Sequence, residues 1–177
     1  MTGDALLDQF QLTIPEPDIY RIGQYSPVSI RDQIVRASYL VDRLWRTNRL
    51  NRASSLLVVG AGAGGVTAAI NAAKLKVESV VLVDSEAHAL SLQGNCTTRW
   101  IDPVQYDWPA THWDGERWPI TEPTGFAYAA CRTFKPPVVL DSGLAHVWAQ
   151  QFGSALNAFQ VRGLIDFRPQ RKVVDWT

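Results

Sequence analysis

The sequence has little of what would place it outside ordinary globular proteins. It holds two cysteines, Cys96 and Cys131, 35 positions apart. That excludes a disulfide framework and offers no zinc spacing, and the expected setting is reducing and cytoplasmic. Neither sign of charge is in excess: 17 Lys and Arg balance 17 Asp and Glu. A nucleic-acid-binding domain is usually basic, so no nucleic-acid partner is expected. No apolar run approaches the ~20 residues of a membrane span, so no membrane association is expected. Residues Met1 to Phe10 carry Asp4 and Asp8 and no basic stretch ahead of an apolar core, so no secretory signal is expected. The three histidines, His88, His112 and His146, are scattered. With no HExxH and no Cys–His spacing, no metal site is expected. There is no GxSxG elbow to support a hydrolase triad, and no internal repeat.

What is present is an apolar fraction of 46% and a charged fraction of 19% over 177 residues, the balance of one globular domain with or without an extension. Met1 to Tyr25, with Pro15 and Pro17, reads as an irregular arm. Ser26-Pro27 is a helix start, Ser as N-cap and Pro at the first helical position. Ile30, Ile34, Ala37, Val41 and Leu44 then recur at helical steps, predicting a helix from about Pro27 to Arg49, with Asn48 and Asn51 suited to its stop. Ser55 to Val59 is a continuous apolar run, the pattern of a parallel strand buried on both faces. A turn, Gly60-Ala61-Gly62-Ala63-Gly64-Gly65, leads into the alanine-rich helix Val66–Lys74. Ser79 to Val83 is a second apolar strand, ending in Asp84. Strand, helix and strand make a βαβ unit of about thirty residues, with the two strands parallel neighbours.

Residues 85–143 differ. They hold six of the ten prolines and four of the seven tryptophans (Trp100, Trp108, Trp113 and Trp118) and show little periodicity. An ordered excursion pinned by Trp packing is expected, since aromatics argue against disorder. Val147, Trp148, Phe152, Leu156 and Phe159 then mark a helix face, with Asp141 or Ser142 as cap and Gly163 as stop. Leu164 to Phe167 is a candidate third strand, and Val173-Val174 a short apolar pair. The expected fold is α/β: a Rossmann-like βαβ with a parallel sheet, preceded by an arm and helix (1–50) and interrupted by the Trp/Pro-rich insertion (85–143) within a partial dinucleotide-binding domain (51–177).

The chemistry rests on Gly60-x-Gly62-x-x-Gly65, set after a strand and opening a helix. Gly60 permits the tight turn, Gly62 lets a pyrophosphate approach the backbone, and Gly65 lets the helix sit close on the strand. The free N–H groups and the positive end of the helix dipole, over Ala61 to Gly64, then face the phosphates. Asp84, 19 residues past Gly65, can accept hydrogen bonds from ribose hydroxyls, with Ser85 beside it. It would repel a 2′-phosphate, which disfavours NADP unless a base intervenes. The alternatives remain open: a glycine turn that only packs a helix on a sheet, and an Asp that only caps a turn. Arg99 is a candidate for a phosphate or the adenosine side of a cofactor, or for a surface salt bridge. Cys96 and Cys131 read as buried thiols.

The run Leu56 to Asp84 resembles the N-terminal βαβ of the FAD/NAD(P)-binding oxidoreductases, flavoproteins with two dinucleotide-binding domains. The helix Ser29 to Ala37 and the stretches Leu90 to Pro103 and Tyr106 to Pro109 are similar to one bacterial group of FAD-dependent oxidoreductases. The likeness covers residues 26–110 well and 140–174 loosely. It implies that Gly60, Gly62 and Gly65 flank the FAD pyrophosphate and that Asp84 holds the adenosine ribose. Flavoproteins usually carry Glu at that place; the shorter Asp is also common in NAD sites. Such flavoproteins are also much longer, and the sequence shows no second glycine fingerprint and no Gly-Asp motif for the ribityl chain. The expectation is therefore the FAD-binding portion of an oxidoreductase, incomplete as a catalyst alone and completed by a partner chain or a missing C-terminal domain. A non-catalytic module for NAD or another adenine nucleotide, or for protein interaction, is the alternative. A methyltransferase or an adenylating enzyme ranks below both, because the glycine spacing and the Trp/Pro segment suit them less. No residue stands out as an acid or base.

Overall fold

The computed structural model describes residues 5–12, 18–23, 30–101 and 143–174. The arm is more ordered than its sequence suggests. It opens with a helix, α1 (Ala5–Phe10), whose Leu7 and Phe10 are wholly buried. At a spacing of three, both side chains fall on one face and pack toward the next helix. The chain then turns back on itself. Gln11 bridges to Tyr20, the Leu12 N–H donates to the Ile19 carbonyl (2.7 Å), and Arg49 donates to Gln11 Oε1 and Tyr20 OH (both 2.9 Å).

Helix α2 (Ile30–Arg46) carries the expected stripe: Ile34, Ala37, Val41 and Leu44 are buried. It stops three residues short of Arg49, where Asn48 takes the left-handed conformation (φ 59°). The Ser26-Pro27 start lies outside the described residues. Strand β1 (Ser55–Val59), helix α3 (Ala63–Lys74) and strand β2 (Ser79–Val83) follow as the expected βαβ. Helix α3 begins within the glycine run rather than after it, and every residue from Ala63 to Ala73 is buried, packed between the sheet and α2.

Beyond β2 come a one-turn helix α4 (Ser91–Gly94) and a two-residue strand β3 (Trp100–Ile101), paired antiparallel with β4 (Gly143–Leu144). Trp108, Trp113 and Trp118 lie outside the described residues. Trp100 departs from the expectation of Trp packing: it is 67% exposed, on the face of β3 opposite the buried Ile101. Helix α5 (Ala145–Val161) buries Trp148, Phe152 and Leu156, and Gly163 (φ 68°) turns the chain out of it. Its N-cap is Leu144, and the proposed caps Asp141 and Ser142 lie outside the described residues. The third strand, β5 (Asp166–Arg168), begins two residues later than the apolar pattern places it, since half-buried Leu164 and buried Ile165 form the lead-in to it. Val174 is exposed. Cys96 is half-buried rather than buried, on the turn that closes α4, and Cys131 lies outside the described residues.

The three strands run parallel in the order β1-β2-β5, with Ser55 opposite Ser79 and Val81 opposite Asp166. This order explains the other departure from expectation. Both crossovers step in the same direction, so right-handed connections place α3 and α5 on the same face. Val80 and Leu82 face them and are buried, while Leu57 and Val59, on the other face of β1, are 52% and 46% exposed. Strand β1 is therefore half-buried on one face, through Leu56 and Val58, and exposed on the other, rather than buried on both. Among the described residues no helix of the fold is long and apolar enough to cross a membrane.

Candidate functional site

The glycine turn joins the C-terminal end of β1 to the N-terminus of α3. Gly60 leaves the strand at φ 96°, a conformation open to glycine and strained for other residues. A Cβ on Gly65 would overlap the Gly60 carbonyl oxygen, so the first turn of α3 can rest on the strand end only if residue 65 is glycine. Gly62 differs. Its backbone (φ −76°, ψ −174°) suits any residue, and among the described residues nothing lies within 4 Å of where its Cβ would be. Neither folding constraint requires glycine there, and the space lies beside the first N–H groups of α3, which have no partner within the helix. Gly64 faces the other way, where a Cβ would come within 3.1 Å of Gln33 on α2 and of Ile22 in the arm. Ala61 and Ala63 are buried.

The turn is held from several sides. The Val83 carbonyl accepts from the Gly60 N–H (2.9 Å). One oxygen of the Asp84 carboxylate accepts from the Ala61 N–H, and the other from the Glu86 N–H (2.8 Å). The Ala61 carbonyl in turn accepts from the N–H of Leu90 (2.9 Å), which lies in the left-handed region (φ 59°). Asp84 thus braces the glycine loop and closes its own turn together. Each carboxylate oxygen keeps a second lone pair for a further donor, so bracing leaves room for a ribose hydroxyl.

Ser85 is exposed next to Asp84. Arg99 is exposed and reaches the rest of the fold through its carbonyl, which accepts from the Ala145 N–H (2.9 Å). The structure therefore joins Gly60 to Gly65 with Asp84, while Arg99 stands on the β3 ribbon. His88 is exposed, His146 half-buried, and His112 lies outside the described residues. Among the described residues no three His, Cys, Asp or Glu side chains group as metal ligands. Beneath the loop, Ala63, Leu90, Ile101, Trp148 and Phe152 line a shallow apolar crevice that anchors the turn to α5.

Two further partners carry no signal in the sequence. One is Gln33, packed on Gly64. The other is the turn after β5. The Arg168 carbonyl accepts from the Asp84 N–H (3.4 Å), the Arg171 N–H donates to the Asp84 carbonyl (2.8 Å), and the Gln170 N–H donates to the Glu86 carbonyl (3.1 Å).

The sequence model of the NAD(P)-binding Rossmann-like domain family matches residues 58–119. The matched span begins in β1 and takes in the glycine turn, α3, β2 and Asp84. No curated protein and no solved structure matches the chain. With the parallel sheet β1-β2-β5, the match makes the fold Rossmann-like α/β, and it supports a domain of the type that takes NAD(P)-like dinucleotides.

Proposed function

We propose that the chain is the FAD-binding portion of an oxidoreductase, incomplete as a catalyst alone, with residues 51–177 as the dinucleotide-binding unit and 1–50 as an arm and helix packed on it. The observation that carries this reading is Gly62, clear of side chains among the described residues, next to the first N–H groups of α3 and beside Ala61, which Asp84 braces. A pyrophosphate would lie against Ala61, Gly62 and Ala63, where backbone donors and the helix dipole favour an anion. Asp84 would take the adenosine ribose. A bound flavin would supply the redox chemistry; the chain's own residues bind and orient the adenine half. FAD is preferred to NAD on the resemblance over residues 26–110. A partner chain or C-terminal domain would cover the isoalloxazine, and the open face at Leu57 and Val59 leaves room for one. A bacterial, cytoplasmic setting accords with the resemblance and the cysteine content.

One observation favours a second reading, a module for NAD or another adenine nucleotide. Asp84 is a short carboxylate, and both of its oxygens already accept a backbone N–H. The test is the visible spectrum of the purified chain, with mass identification of any nucleotide released on denaturation. Flavin bands with FAD released support the proposal. A colourless chain that releases or is stabilised by NAD favours the second reading, and a chain with affinity for neither contradicts both.

A further inference from the structure

Asp84 is gripped at two places, and Glu86 at a third, by residues far from them in sequence. Its N–H donates to Arg168, its carbonyl accepts from Arg171, and the next carbonyl but one, Glu86, accepts from Gln170. The turn that makes these bonds, Arg168 to Arg171, depends on Gln170 in the left-handed region (φ 56°), which a non-glycine residue enters at a cost. The Asp84 carboxylate passes the constraint on, through its bond to the Ala61 N–H, into the glycine loop. A turn after the last strand thus sets the backbone of the acidic residue, and that residue sets the loop. The Gln170 side chain is exposed, so the turn acts on Asp84 through its backbone.

We infer that Gln170 is a positioning residue: its left-handed turn holds Asp84 at the angle that reads the adenosine ribose, so selectivity for ribose over deoxyribose depends on residue 170. The inference rests on the proposed nucleotide site and names the half of the ligand that the turn controls. It does not require the Gln170 side chain to touch the nucleotide. A residue at ease with positive φ should serve as well as Gln, and a β-branched residue should not.

The probes are ADP and 2′-deoxy-ADP, titrated into the full chain by calorimetry. A hydrogen bond from the 2′-hydroxyl to a carboxylate gives the wild type a preference for ADP of about tenfold. Asp84→Ala should abolish that preference. Gln170→Gly should keep it, and Gln170→Val should bring it close to one while both nucleotides still bind. A structural role alone would weaken both nucleotides equally and leave their ratio unchanged. Should the valine variant lose its fold by circular dichroism, Gln170→Thr, β-branched but polar for an exposed place, reads the same ratio and should lower it. A folded valine or threonine variant that keeps the wild-type ratio overturns the inference and leaves the nucleotide site standing. A wild type that binds both probes equally also overturns it. A wild type that binds neither overturns the nucleotide site itself.

Discussion

At the scale of single residues, three glycines of one motif do three different physical jobs, and only space and dihedral angles tell them apart. Gly65 is a packing glycine. Gly65→Ala would force a methyl into the Gly60 carbonyl and should cost about 2–3 kcal/mol, read as a lowered urea midpoint. Asp84 was open to two readings in the sequence, turn cap or ribose ligand. The structure shows the cap, with a lone pair left on each oxygen, so the two roles are compatible. Asp42 offers a test by pH. It is buried on α2 with the Arg46 Nε at 2.9 and 3.1 Å, yet desolvation outweighs that bond and holds its pKa above the ordinary 3.8. The folded state therefore binds this proton more tightly than the unfolded state. Its ionisation costs stability, a cost absent below about pH 4 and complete once the pH exceeds the raised folded value. Asp42→Asn should accordingly stabilise the chain at pH 7, and the gain should vanish as the pH falls below about 4 in thermal melts.

At the scale of elements, legibility followed the length and type of the apolar pattern. Strands β1 and β2 were readable to the residue because each is an unbroken apolar run bounded by turn residues, and α2 and α5 because their stripes persist over four turns or more. Helix α1 was not readable: six residues are too few for a period to show. Its stability comes from packing rather than propensity. Phe10→Ala should therefore cost about 3 kcal/mol although it lies in what reads as a tail, measured by chemical denaturation. The beginning of β5 was misplaced because Leu164 and Ile165 are apolar for the sake of the core beneath the strand, not for the ladder. The turn at Gln170 left no mark at all, since its bonds to Asp84 and Glu86 run through backbone groups that every sequence possesses.

At the scale of the whole molecule, the apolar run of β1 promised two covered faces, and the sheet order delivers one. Progressive order with right-handed crossovers puts α3 and α5 together, leaving Leu57 and Val59 outward. Exposed apolar residues on a strand without a neighbour on one side among the described residues favour association. Leu57→Ser with Val59→Thr should leave the unfolding midpoint within about 1 kcal/mol of wild type and reduce self-association in light scattering. The central claim is that the glycine turn is a cradle for a dinucleotide and not merely a joint between strand and helix. Gly62 separates these directly, because its backbone and surroundings admit a side chain without disturbing the fold. The decisive measurement is calorimetric titration of ADP into the wild type and Gly62→Val, with circular dichroism to show that both are folded. The account predicts unchanged structure and an affinity lowered tenfold or more, as a side chain blocks the approach of the pyrophosphate. A folded Gly62→Val chain that binds ADP as tightly as the wild type would contradict it.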